Sequence, residues 1–249
     1  MTDVRRRGFT AAPMKTLPFS ELTAADGALD LPFLQARLHA SAAEPWATFA
    51  TTTLSAQERA DLDALRRRLA FTSTSRANEA TLWARAIYPL LMVAEVDDVR
   101  AWSQVALNVV VRGDLRGLDG AALRLHGIVD GALAADAAGQ PVDPFFLVVE
   151  AKRALDAADP LPQLQGAMLS LALRRLDDDP HAEHEVFGCF TIGDAWTFVR
   201  GRFARAEGDG GAAVRADYHP SRELSEHAEA DAIAAILKAV VARQRPKAA

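Results

Sequence analysis

The chain has 249 residues, half of them hydrophobic and 24% charged, which suits one α/β domain with helical additions and excludes a disordered or fibrous chain. A formal net charge of −5 argues against a surface coated for nucleic acid without excluding a local basic groove. The single cysteine, Cys189, excludes an internal disulfide framework or cysteine-based zinc site, and no run approaches the roughly 18 apolar residues of a membrane span, so an unexported cytoplasmic protein is expected.

Residues 1–28 lack sustained periodicity and read as an irregular arm. The stretch 31–40, LPFLQARLHA, can form a short helix; 54–71 is a stronger one, opened by Ser55 and Glu58 as a capping box. The next helix, SRANEATLWARAIYPLL, has Leu82, Trp83, Ala86, Ile87 and Leu90 on one stripe together with Glu79, and Pro89 is expected to kink or end it.

From about residue 100 the pattern changes to strands, over 102–112, 122–133 and 145–152, followed by a helix over 161–176. The acidic loop DDDPHAEHE does not match a zinc-protease helix and reads as polar surface. Two further strands, VFGCFTI and AWTFVRGRF, flank a Gly193–Asp194 turn. EGDGGAA reads as a loop, and ADAIAAILKAVVAR as a closing amphipathic helix with Ile233, Ile236, Leu237, Val240 and Val241 on one face. The expected division is an N-terminal arm and helical lead-in (1–72), a core with a mixed sheet (73–206), and a loop with a packed C-terminal helix (207–249). Amphipathic helices outside the core can complete the fold or form a homodimer seam.

FFLVVEAKR (145–153) is the most apolar strand, yet it carries Glu150 and Lys152 on one face. Only four of the 28 basic residues are lysines, and this is one of them. With a hairpin tip near Gln140, antiparallel pairing sets Asp130 opposite Glu150, about 5 Å apart at Cβ. Two carboxylates at that spacing repel and invite a cation, and oxygen ligation suits Mg²⁺ or Mn²⁺. The plainer alternative is a salt bridge at the sheet margin.

The motifs GIVDG (127–131) and VVEAKR (148–153), with Glu79 in the preceding helix, PQLQGAML (162–169) in the following one and the hairpin GCFTIGDAWTFVR, resemble the PD-(D/E)XK, or restriction-endonuclease-like, nuclease superfamily. The resemblance spans about residues 76–204; Val129 stands where the motif's proline would be. It implies an αβββαβ core with N- and C-terminal helical additions and a divalent-metal-dependent nuclease acting on nucleic acid, DNA foremost. It further implies that Asp130, Glu150 and the main-chain carbonyl of Ala151 bind the metal and that Lys152 activates water and stabilises charge on the phosphate. Glu79 would assist or hold a second ion, and Gln163, favoured over Gln165, would help fix the lysine or a phosphate oxygen. The alternative is a catalytically inactive module of this fold that binds nucleic acid or a protein partner.

Overall fold

A computed structural model describes residues 14–42, 46–70, 77–111, 114–153, 158–208 and 211–245. Residues 1–13 of the expected arm lie outside the described residues, as do 209 and 210 of EGDGGAA. The elements in chain order are β1 (Met14–Pro18), β2 (Ala24–Ala25), β3 (Ala28–Leu29), β4 (Leu34–Leu38), α1 (Ala56–Leu69), α2 (Glu79–Leu82), a π-helical turn (Trp83–Ile87), α3 (Tyr88–Met92) and β5 (Val99–Val111). They continue with β6 (Ala122–Ala137), β7 (Gln140–Lys152), α4 (Leu161–Asp178), β8 (His184–Ile192), β9 (Ala195–Gly208), β10 (Gly211–Pro220), β11 (Leu224–Ser225) and α5 (Glu226–Gln244).

The protein is mixed α/β, built on one mixed sheet with the path β1-β6-β7-β8-β9-β10-β4 and with β5 along the other edge of β6. β5, β6 and β7 form an antiparallel meander; α4 then carries the chain to β8, which runs parallel to β7, as a strand–helix–strand crossover allows. The segment after β5 returns to the far end of the sheet: Leu115 bridges Ala212, and Arg116 donates to the carbonyl oxygens of Ala212 (2.8 Å) and Pro32 (2.9 Å). The sheet therefore curls around α4, whose residues from Leu164 to Leu173 are all buried. That explains a helix without a wide polar face.

A second core lies on the other side of the sheet, where Leu62, Leu65 and Leu69 of α1 and the apolar face of α5 pack against Phe187, Cys189, Trp196 and Phe198. The faces that could have formed a dimer seam are thus buried within the chain. The capping box is present: Glu58 N–H donates to Ser55 Oγ at 3.2 Å, and Ser55 N–H to the Glu58 carboxylate at 2.6 Å. Lys238 also bonds Glu58, tying α5 to the start of α1.

Four expectations need correction. Residues 14–28 are not an irregular arm: they carry β1, which joins the sheet beside β6, and the β2–β3 pair. Residues 31–40 do not form a helix: β4 runs parallel to β10, from Leu34 beside Val214 to Leu38 beside Tyr218. The apolar residues of this stretch satisfy a helical spacing and a strand face alike, and the distant partner decided between them. That partner, β10, is a strand absent from the sequence-based reading, which passed from EGDGGAA directly to the closing helix. Pro89 does not end the helix, which continues to Met92; of the two expected outcomes only an irregularity is present, a π turn just ahead of the proline in which Tyr88 N–H bonds Trp83 O. Such a turn absorbs an irregular bond pattern that an α-helical ladder would not.

Candidate active site

The register of β6 with β7 brings the candidate acids together by an unexpected route. At the tip Ala137 pairs with Gln140, so the turn is Ala138–Gly139; continued without interruption, that register would set Glu150 opposite Gly127. Three residues of β7, namely Asp143, Pro144 and Phe146, have no partner on β6, and these irregularities shift the register until Gly131 pairs with Val149. Carried one step past that last pair, the register would set Asp130 opposite Glu150; the expected turn did not produce it, and the two are not themselves paired.

Beyond that last pair the two strands separate. β6 turns from β7 to β1, which pairs with it from Met14–Ala122 to Pro18–His126. Gly127 makes this handover possible, since a Cβ there would lie 2.3 Å from the ring of Phe19. Asp130 sits in the fork, where its Oδ2 accepts the Ala151 N–H at 2.8 Å. A side chain here replaces the strand that has left, keeping a buried amide satisfied.

The fork also interrupts the alternation of the sheet. On β6 both Val129 and Ala132 face the α4 core, and on β5 both Trp102 and Val105 do, whereas regular alternation would separate them. Between them lie Asp130 and Gln104, cross-strand neighbours whose side chains meet at 3.3 Å from Gln104 Nε2 to Asp130 Oδ1. A cleft of about 290 Å³ opens at this point, lined by Glu79, Trp83, Ser103, Gln104, Asp130 and Ala151. Trp83 covers Gly131, at which a Cβ would approach the indole to 2.0 Å. Ser103 and Gln104 also line a neighbouring cleft of about 660 Å³ that reaches Arg174.

Glu150 is only 1% exposed and does not line the 290 Å³ cleft. Its Oε1 accepts from Lys152 Nζ at 2.8 Å; its Oε2 is buried without a hydrogen-bond partner among the described residues. Burial and, next, the charge of Asp130 raise its pKa to about 7 against the pull of Lys152, with Glu79 adding to the rise. Burial alone would lower the Lys152 ammonium, but the bond to Glu150 and the charges of Glu150, Asp130 and Glu79 outweigh it, so its pKa is raised. Glu79, Asp130, Glu150 and Lys152 therefore form one electrostatic group. Across its acids there is more negative charge than one lysine balances.

The glutamines differ. Gln165 is buried and donates to the Gly27 carbonyl at 2.9 Å, which commits it to the segment between β2 and β3. Gln163 is half-buried in the first turn of α4, with no hydrogen bond to Lys152 among the described residues. Gln104 was missed by sequence reasoning, and no residue pattern around it would have signalled its role. The arginines of β9 do not offer a free basic track: Arg200 pairs with Glu185, Arg202 with Glu183, and Arg205 with Asp177.

Asp130 and Glu150 are the carboxylates that could share a divalent cation. Among the described residues one buried Glu150 oxygen lacks a donor, Asp130 is near enough for its charge to raise the Glu150 pKa, and hard oxygen ligands match Mg²⁺ or Mn²⁺. Among the described residues no group of three or more His, Cys, Asp or Glu side chains converges as a ready-made metal cage.

The chain matches no family model and no curated protein. Among the described residues no helix is long and apolar enough to cross a membrane.

Proposed function

We propose that the protein is a divalent-cation-dependent nuclease of the restriction-endonuclease-like fold that hydrolyses phosphodiester bonds, DNA foremost. The observation that carries this reading is the nearness of Asp130, Glu150 and Lys152 where β6 and β7 separate, with Glu150 Oε2 buried and unpartnered among the described residues. The meander of three strands, the intervening helix and the parallel fourth strand support it, being the αβββαβ order expected of that superfamily.

Asp130 and Glu150, with the Ala151 main-chain carbonyl, would hold Mg²⁺ or Mn²⁺; bound there, the cation would polarise the phosphodiester and make water a stronger nucleophile at neutral pH. Lys152 orients the attacking water and balances negative charge developing on the phosphate, a task for a compact ammonium rather than a planar guanidinium. Glu79, on the cleft wall, accepts a hydrogen bond from water or helps hold a second ion. Gln163 is available to a phosphate oxygen, whereas Gln165 is occupied elsewhere. Carrying the acids on strands rather than loops keeps them positioned to the tolerance such chemistry needs.

The 2.8 Å ion pair of Lys152 with Glu150 favours a second reading, a module that keeps the fold and binds nucleic acid or protein without catalysis. Incubating labelled single- and double-stranded DNA with Mg²⁺ or Mn²⁺ and purified wild type, Glu150→Gln and Lys152→Ala separates the two. Cleavage by the wild type alone supports the nuclease. Equal cleavage by all three, with contaminating nucleases excluded, removes the assignment.

A further inference from the structure

We propose that Gln104 is the positioning residue that holds the Asp130 carboxylate in place for a divalent cation, and that its left-handed backbone is what aims it there. The inference rests on the cation-dependent reading of the site.

Five non-glycine residues among those described have positive φ, and four of them, Asp26, Asp97, Asp119 and Ala138, lie in turns. Gln104, at φ 53°, lies within strand β5, with Ser103 paired to Gly131 and Val105 to Val129 on either side of it. A residue bearing a Cβ is disfavoured in this region, and a long side chain gains none of the local hydrogen bonding that lets Asn or Asp adopt it. Packing does not offset that cost, because the Gln104 side chain is exposed. What the conformation does achieve is visible in its contact: the amide donates to Asp130 Oδ1 while Ala151 N–H donates to Oδ2. The orientation of the amide follows from chemistry, since an ionised carboxylate only accepts.

Held from both ends, the Asp130 carboxylate has one orientation, and each oxygen keeps a second lone-pair direction for an ion. The same backbone reversal lets Trp102 and Val105 both face the α4 core, so a purely structural role is the competing explanation. Glycine separates the two, because it adopts positive φ without strain and has no amide side chain. Strain stored beside reacting groups is a recurring use of such conformations.

The test compares wild type with Gln104→Gly and Gln104→Ala, and uses Asp130→Asn to define the site. Calorimetric titration with Mn²⁺ alone is expected to show binding that Asp130→Asn abolishes and that both Gln104 variants weaken about tenfold, the lower end for a residue that orients a metal ligand. In metal-free protein the Ala151 amide is expected to exchange faster in both variants. With DNA as substrate, both are expected to lower kcat with little change in KM. Gln104→Gly is expected to melt no lower than wild type, and up to about 4 °C higher, while Gln104→Ala does not gain. A glycine variant with wild-type Mn²⁺ affinity, kcat and Ala151 exchange overturns the inference and leaves the nuclease reading intact. A wild type whose Mn²⁺ binding does not depend on Asp130 overturns both.

Discussion

Lys152 Nζ donates to Glu150 Oε1 at 2.8 Å, while the other oxygen of that carboxylate is buried without a partner among the described residues. The pair is thus only half compensated, and its two members respond differently to removal. On the proposed nuclease reading Glu150→Gln is expected to abolish cleavage but to leave the melting temperature unchanged or higher, because a buried charge is deleted and the partly exposed lysine keeps its access to water. Lys152→Met is expected to abolish cleavage and to cost about 1–3 kcal/mol, limited by the ability of Glu150 to take up a proton near neutrality. Thermal denaturation beside the cleavage assay checks both.

Glu226, at the start of α5, is fully buried; it accepts the Trp196 indole N–H at 3.1 Å, and its other oxygen has no partner among the described residues. Burial, with Asp194 adding to it and Trp196 opposing it, raises its pKa to about 7. A carboxyl raised in the folded state binds its proton more tightly there than in the unfolded chain. Its contribution to stability is therefore full below pH 4.5 and is lost as pH rises through about 7. Glu226→Gln should remove that part of the slope, so that wild type and variant differ more at pH 8 than at pH 5, the variant being the more stable at pH 8. Glu150 has a shift of the same sign, so some slope persists in the variant.

Gly131→Ala tests the wall of the cleft. The added Cβ would lie 2.0 Å from Cη2 of Trp83, also close to the Trp102 carbonyl at 3.1 Å, so the indole must move. Overpacking of this kind costs about 1–3 kcal/mol. Denaturant melts should show that loss, with cleavage falling further than the stability change accounts for, because Trp83 and Asp130 line the same space.

Cys189 is wholly buried between β7 and β9, and burial pushes its thiol well above the usual value. Reaction with an alkylating reagent should be negligible in the folded protein and rapid in denaturant, making it a reporter of global unfolding. Labelling at the rate of an exposed thiol in native buffer would contradict the packing of this core.

The candidate acids were legible because a glutamate and a scarce lysine interrupt an apolar strand, and because strand alternation puts them on one face. Helix α1 was legible for a local reason too, since Ser55 and Glu58 close a capping box within one turn. The Gly193–Asp194 hairpin and the apolar face of α5 follow from equally short-range patterns, a two-residue turn and a repeat of 3.6. The mixed α/β class rests on those local signals.

Tertiary structure decided what local signals leave open. Whether LPFLQARLHA becomes helix or strand depends on β10, some 180 residues away, and β1 becomes a strand through β6. That Asp130 falls on the register of Glu150, one step beyond the last β6–β7 pair, depends on three unmatched residues of β7, and no pattern in that strand marks where its partner will skip them. Gln104 resembles any polar strand residue until its backbone is seen. The sequence by itself determined which residues carry charge into the sheet and where α1 begins. The curl of the sheet, the fork beside Asp130 and the cleft at its mouth came only with the fold, because long-range pairing and close packing select among conformations that nearby residues leave nearly equal in energy.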